Sequence, residues 1–240
     1  MRVTALLLAL AMLAAGCATT EPLSRRGDAL RDVLGPSVQL RAERPGVRRA
    51  GSGVVVASDV ATGRSWIITT RHLFQPVPPQ HLWVTTTDGA RRLRAVVRAT
   101  STEADLAIVE VTERALPPAV LQDHARLGDQ IRVVAFPWGR RLTVVSGIVS
   151  QIASEESEVA VEGAVRMIDA SVSYGASGGG VFDAGNGTLV GIVESYRTAR
   201  VALPTGPERI LDLPVPGETT VLGTPLIRRF LKSAGIMLPE

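Results

Sequence analysis

The chain has 240 residues, of which 45% are apolar, 20% are charged and one is cysteine. A chain this long buries roughly 70% or more of its unfolded surface in one domain or two small ones, and the composition excludes a disordered polypeptide. The single cysteine excludes a disulfide framework and a cysteine-cluster metal site, and 26 basic against 23 acidic residues lie too near balance to point to nucleic acid.

Met1-Arg2 is a short basic start, and Val3 to Leu13 is apolar or small apart from Thr4. Ala14-Ala15-Gly16 then sets small residues before the lone Cys17. This is the layout of a secretory leader over residues 1–16. Its apolar run falls short of the ~20 residues that span a bilayer. The ending resembles a bacterial lipoprotein signal, which implies lipidation of Cys17 and a membrane anchor. Ala14 stands where such signals more often carry Leu. The stretch also reads as an ordinary leader with an incidental cysteine, but a solitary cysteine at this spot favours the anchor. Because Ala18 is not Asp, the resemblance points to the outer membrane, facing the periplasm. Residues 17–36 then form a tether, with a short helix over Ser24–Leu34 that Gly35-Pro36 stops.

From Ser37 the pattern changes to short strands rich in Val, Ile, Leu and Thr. A first series runs Ser37–Arg41, Gly53–Ala57, Trp66–Thr70, Leu82–Thr87, Leu93–Ala99 and Leu106–Val111. A second runs Gln130–Ala135, Leu142–Ile152, Glu158–Val161, Val165–Ala170, Gly180–Phe182 and Leu189–Ser195. Turn signals such as Asp88-Gly89 and Asn186-Gly187 separate them. The class is all-β, and two series divided at Leu116-Pro117-Pro118 suggest tandem barrels over residues 37–118 and 119–240. Arg91, Arg92, Arg94 and Arg98 alternate with apolar residues and read first as a solvated strand face, with anionic lipid as the other option. One helix closes the chain, with Thr224 as its N-cap, Pro225 in its first turn, and Leu226, Ile227, Phe230 and Leu231 on one face.

The densest chemical signal is Tyr174-Gly175-Ala176-Ser177-Gly178-Gly179-Gly180 before an apolar strand. Glycines are costly in backbone entropy. A nucleophile explains them, because Ser177 must project freely while the N–H groups of Gly175 and Ser177 converge on a developing oxyanion. An incidental serine in a glycine-rich loop is the plain alternative. A nucleophilic serine needs a base, and the chain holds only His72, His81 and His124. His72 follows the strand Trp66–Thr70, whereas His81 sits in a proline-rich loop and His124 in a polar turn. Asp105 precedes a strand that reads as buried, where it could accept from His72 Nδ1–H or be satisfied by local backbone.

Five blocks in order carry a family resemblance: Gly51–Val56, Ile67–His72, Ala104–Val109, Gly175–Gly179 and Leu189–Val193. They resemble the chymotrypsin-fold serine proteases, and among them the bacterial HtrA-type group. The resemblance covers roughly residues 37 to 200. It implies two six-stranded antiparallel barrels with a C-terminal helix. It assigns the nucleophile to Ser177, the base to His72 and the orienting acid to Asp105. It assigns the oxyanion hole to the Gly175 and Ser177 N–H groups. Ser171, Val172, Ser173 and Tyr174 would line the side-chain pocket, and Val193, Glu194 and Ser195 would pair with the substrate main chain. The implied partner is exposed or unfolded polypeptide, and the implied chemistry uses neither metal nor cofactor.

Some positions depart from the familiar pattern. Arg71 replaces the Ala usual before the histidine, and Ala176 replaces the Asp that pairs with a freed N-terminus in digestive members. The pocket residues Ser171, Val172 and Ser173 are neutral, which argues against cleavage after Arg or Lys. The 40 residues after Arg200 leave no room for a C-terminal PDZ domain of the kind HtrA-type members carry. A non-catalytic peptide-binding module and a serine esterase are the alternative functions.

Overall fold

The computed structural model describes residues 30–89, 92–153, 160–202 and 210–238. The expected leader, Cys17 and the first part of the tether lie outside the described residues. Residues 30–34 are helical and end at Gly35. Six strands follow: β1 (Ser37–Arg44), β2 (Val47–Asp59), β3 (Arg64–Thr69), β4 (His81–Thr86), β5 (Arg92–Thr100) and β6 (Ala107–Val111). They close an antiparallel barrel in the order β1-β2-β3-β6-β5-β4.

The remaining strands are β7 (Ala125–Arg126), β8 (Gln130–Ala135), β9 (Thr143–Ile152), β10 (Glu162–Gly163), β11 (Val165–Asp169), β12 (Gly180–Asp183), β13 (Leu189–Ala202) and β14 (Ile210–Gly223). A second closed barrel runs β11-β14-β13-β12-β8-β9, while β7 and β10 pair only with each other. Helix α1 (Thr224–Ser233) follows directly. The architecture is thus two six-stranded antiparallel barrels and a C-terminal helix.

Side-chain alternation explains why many strands read as unbroken apolar runs. In β2, Val55 points into the first barrel, whereas Val54 and Val56 point into a third core between the barrels. Ile67 and Ile68 divide the same way in β3, as do Val109 and Ile108 in β6. In the second barrel Val133 and Val193 face inward while Val134 and Ile192 face the shared core. Strands buried on both faces need apolar residues at every position. By contrast β5 alternates, with Leu93 and Ala95 buried and Arg92 and Arg94 exposed. Arg92 stacks on Trp83 at 4.3 Å and pairs with Glu43, as expected of a solvated face. Arg91 lies outside the described residues.

Helix α1 seals the shared core with Ile227 and Leu231, and Leu226 and Phe230 pack beside them. Its cap differs from expectation. Gly223 is the N-cap, and Thr224 is the first helical residue. The Thr224 hydroxyl donates instead to the Gln122 carbonyl at 2.6 Å, tying the helix start to the inter-barrel segment.

The sixth strand of the second barrel also differs. Of the expected strand Glu158–Val161, residues 158 and 159 lie outside the described set, and Ala160 and Val161 are not in a strand. β14 takes the place instead. Pro214 and Pro216 mask it in the sequence, because proline removes a ladder donor. β13 likewise runs on to Ala202, where it pairs with Ile210 of β14.

Candidate active site

The register of the first barrel brings His72 to Asp105. Thr69, the last residue of β3, pairs with Ala107, the first of β6. A 3-10 turn over Arg71–Phe74 follows β3, and Asp105 sits two residues before β6. Arg71 N–H donates to the Asp105 carbonyl at 3.2 Å and closes this corner. Asp105 Oδ1 accepts from His72 N–H at 2.8 Å, and Oδ2 lies 2.5 Å from His72 Nδ1. Both carboxylate oxygens are therefore spent on one histidine, fixing its position and aiming Nε2 away from the acid.

Burial raises the Asp105 carboxyl, but the hydrogen bonds and charge of His72 lower it by more, with Arg71 adding to them. The net position is below the ordinary carboxylate value of 3.8, so Asp105 is an anion at neutral pH. The departure at Arg71 acquires a reason here. Its Nη1 donates to the Ser101 carbonyl at 2.6 Å, which holds a cation beside the acid.

Ser177 reaches the same place from the second barrel. Its carbonyl accepts from Ser52 N–H at 2.9 Å, and the next residue, Gly178, donates to the Val193 carbonyl at 2.8 Å. Ser177, His72, Thr70, Gly175, Leu73 and Gly51 line one cavity of about 50 Å3. The N–H groups of Gly175 and Ser177 have no acceptor among the described residues, and Ser177 Oγ makes no hydrogen bond among them. Thr70 is fully buried, and its hydroxyl is unpartnered at this same cavity. Glycine is required at Gly175, where φ is +89° and a Cβ would stand 2.7 Å from Trp138 N. His81 and His124 are exposed and line no part of this cavity.

The expected substrate-lining residues do not share one pocket. Ser171, Val172 and Ser173 line a small cavity of about 70 Å3 with Val133, Ala135 and Val145. Tyr174 borders the Ser177 cavity instead. Val193 is buried in the second barrel, while Glu194 lines a wider concavity of about 560 Å3 with Arg166, Arg229 and Ala104. Ser195 Oγ bonds Thr220 Oγ1 at 2.8 Å, which draws that side chain toward β14. Beyond Ile192, whose partner in β12 is Gly180, Val193 still donates to the Gly179 carbonyl and accepts from Gly178 N–H, both at 2.8 Å, and from Glu194 onward β13 pairs only with β14 among the described residues. From Glu194 onward one edge of β13 has no partner strand among the described residues, which is where an extended chain could add.

Two residues with a structural claim on the site went unnoticed in the sequence. Ser52 Oγ donates to the Gly175 carbonyl at 2.9 Å and accepts from Phe136 N–H at 2.9 Å. Trp138 N–H donates to the Tyr174 carbonyl at 2.7 Å. The serine between Gly51 and Gly53 was a usable signal, since a polar residue just before a run of buried valines needs a partner. Nothing local in Phe136-Pro137-Trp138-Gly139 announces its contact.

The chain resembles known proteins in sequence and in shape. The magnetosome formation protease MamE of Paramagnetospirillum magneticum is 29% identical over 183 residues, which is 70% of this chain and 24% of MamE. The periplasmic pH-dependent serine endoprotease DegQ of Escherichia coli is 29% identical over 150 residues, 59% of this chain and 30% of DegQ. The chain therefore spans a third or less of the length of these relatives. The crystal structure of a serine endoprotease from Yersinia pestis superposes with a TM-score of 0.66 at 21% identity, covering 87% of this chain and 65% of that one. The trypsin-like peptidase domain family matches residues 51–192, a span that contains His72, Asp105 and Ser177. With two closed barrels and that match over more than half its length, the chain belongs to the trypsin-like peptidase family.

Proposed function

We propose that this chain is a serine endopeptidase of the bacterial envelope that cleaves exposed or unfolded polypeptide. The observation that carries this reading is the 2.5 Å contact of His72 Nδ1 with Asp105 beside a cavity that His72 shares with Ser177. Asp105 holds the imidazole in the tautomer that leaves Nε2 free to take a proton. Ser177 Oγ attacks the scissile carbonyl as His72 Nε2 accepts its proton. The carbonyl oxygen becomes an oxyanion within reach of the Gly175 and Ser177 N–H groups. Collapse of the tetrahedral intermediate expels the amine, which takes its proton from His72, and leaves an acyl group on Ser177. Water then attacks that ester with His72 again as base. The substrate main chain adds to the edge of β13 at Glu194 and Ser195, next to Val193, whose own backbone groups are held by Gly178 and Gly179, and the neutral Ser171–Ser173 segment receives a small or medium apolar side chain.

The relatives named as periplasmic endoproteases support a periplasmic setting, and a lipidated Cys17 would hold the barrels at the outer membrane. A second reading, a module that holds a peptide strand without cutting it, draws on the missing hydrogen bond between Ser177 Oγ and His72. In resting enzymes such bonds are often long and tighten only with substrate. Cleavage of unfolded casein by the wild-type protein and by Ser177→Ala and His72→Ala separates the readings. Endopeptidase action predicts cleavage that both substitutions abolish, and binding without cleavage in all three supports the second.

A further inference from the structure

We infer that Trp138 is a positioning residue for the oxyanion site, acting through its backbone N–H on the Tyr174–Gly175 peptide. The inference rests on the proposed role of Ser177 as nucleophile. Phe136, Pro137, Trp138 and Gly139 form a turn in which Gly139 N–H donates to the Phe136 carbonyl at 3.0 Å. Proline occupies its second position, and Trp138 at the third has φ 58° and ψ 15°. That is the type II pattern, whose third position normally belongs to Gly or Asn because φ is positive. A bulky aromatic there is a genuine outlier, and such residues persist only when their surroundings over-determine them.

The surroundings supply a reason. Types I and II differ in the direction of the central peptide, so only the type II form offers the Trp138 N–H on this side. That N–H grips the Tyr174 carbonyl at 2.7 Å. Trp138 is 65% exposed, and its ring lies tilted against the Tyr174 ring with centroids 5.4 Å apart. A peptide unit is planar, with its C=O and N–H pointing opposite ways. Holding the Tyr174 carbonyl toward Trp138 therefore turns the Gly175 N–H toward the Ser177 cavity. Ser52 Oγ holds the next carbonyl, that of Gly175, from the other barrel. Gly175 alone could not keep this orientation, because glycine turns over freely. The turn itself is anchored to the first barrel, where Gln39 Nε2 donates to the Arg140 carbonyl at 3.0 Å.

The test compares side chains that favour and disfavour a positive φ. Trp138→Val disfavours the type II turn, whereas Trp138→Gly keeps the turn and removes only the ring. Three quantities are read: kcat, KM for a peptide substrate, and the inhibition constant of a peptide boronate, whose tetrahedral oxyanion needs the hole. Loss of one oxyanion donor costs about 100-fold in kcat or more. The expected result for Trp138→Val is therefore a fall of about 10- to 100-fold in kcat with a parallel weakening of the boronate and KM within about threefold. Trp138→Gly recovers most of that loss. Thermal melting confirms folding, and Trp138→Ala is read in the same way if the Val variant does not fold. Wild-type kcat and boronate affinity in the folded Val or Ala variant overturn the inference. So does a Gly variant as impaired as Val. If the wild-type protein itself does not react at Ser177, the catalytic reading fails rather than the role of Trp138.

Discussion

Ser52 Oγ donates to the Gly175 carbonyl at 2.9 Å, joining the first barrel to the loop that carries Ser177. The same oxygen accepts from Phe136 N–H, so one fully buried hydroxyl ties together three segments. Ser52→Ala orphans a buried carbonyl and a buried N–H at once. Each such group costs ~1–3 kcal/mol. For a chain of this size 1 kcal/mol lowers Tm by roughly 2–4 °C, so a fall of several degrees is expected by calorimetry. An unchanged Tm would show that water or a small shift replaces the hydroxyl.

Gly178 tolerates no side chain. Its φ is +81°, and a Cβ would collide with the Ser52 carbonyl and the Thr69 hydroxyl, both fixed where the barrels meet. Gly178→Ala is expected to cost more than ~3 kcal/mol, since strain and overpacking add. Denaturant unfolding measures it, and a loss under ~1 kcal/mol would contradict the close approach seen here.

Asp105 makes a pH-dependent contribution. Its folded-state pKa lies below the unfolded value, so the stability it supplies is present above about pH 4 and is lost as pH falls through the folded value. Asp105→Asn removes that contribution. The stability gap between wild type and Asp105→Asn should narrow from pH 6 to pH 3 in urea titrations. On the proposed mechanism the same change lowers kcat by about 10^4-fold, because the imidazole tautomer is no longer fixed. A gap that widens in acid would reverse the sign assigned to Asp105.

Ile227 is fully buried in the core that both barrels share. Ile227→Ala is expected to cost ~2–5 kcal/mol, with both barrels still unfolding in one transition. Arg229→Ala, on the exposed flank of the same helix, should stay within about 0.5 kcal/mol. Two separate transitions in the Ile227 variant would show that the shared core does not couple the barrels.

The legible parts of this fold are those where one local pattern carries the information. Val54-Val55-Val56 and Ile67-Ile68 announce strands buried on both faces, and the glycines around Ser177 announce a tight turn. His72 and Asp105 stood out because each flanks such a strand, and antiparallel pairing of Thr69 with Ala107 brings those flanks together. β14 was not legible because Pro214 and Pro216 interrupt it and its residues Leu211 and Leu213 remain exposed. The tie of Thr224 to Gln122, of Ser52 to Gly175 and of Trp138 to Tyr174 all cross long stretches of chain. Each pairs a donor with a backbone carbonyl, a group every residue carries, so no side-chain pattern marks the acceptor. The split between Ser171–Ser173, in the loop after β11, and Glu194, in β13, likewise follows from the tertiary path of the chain rather than from residue type.

Covalent labelling by a fluorophosphonate, read by intact mass and peptide mapping, tests Ser177 as the nucleophile most plainly. One adduct is expected on Ser177 in the wild-type protein, none in Ser177→Ala, and a rate that falls steeply in His72→Ala because base and nucleophile act as a unit. Absence of an adduct on folded wild-type protein, or undiminished labelling of Ser177→Ala, would contradict that role.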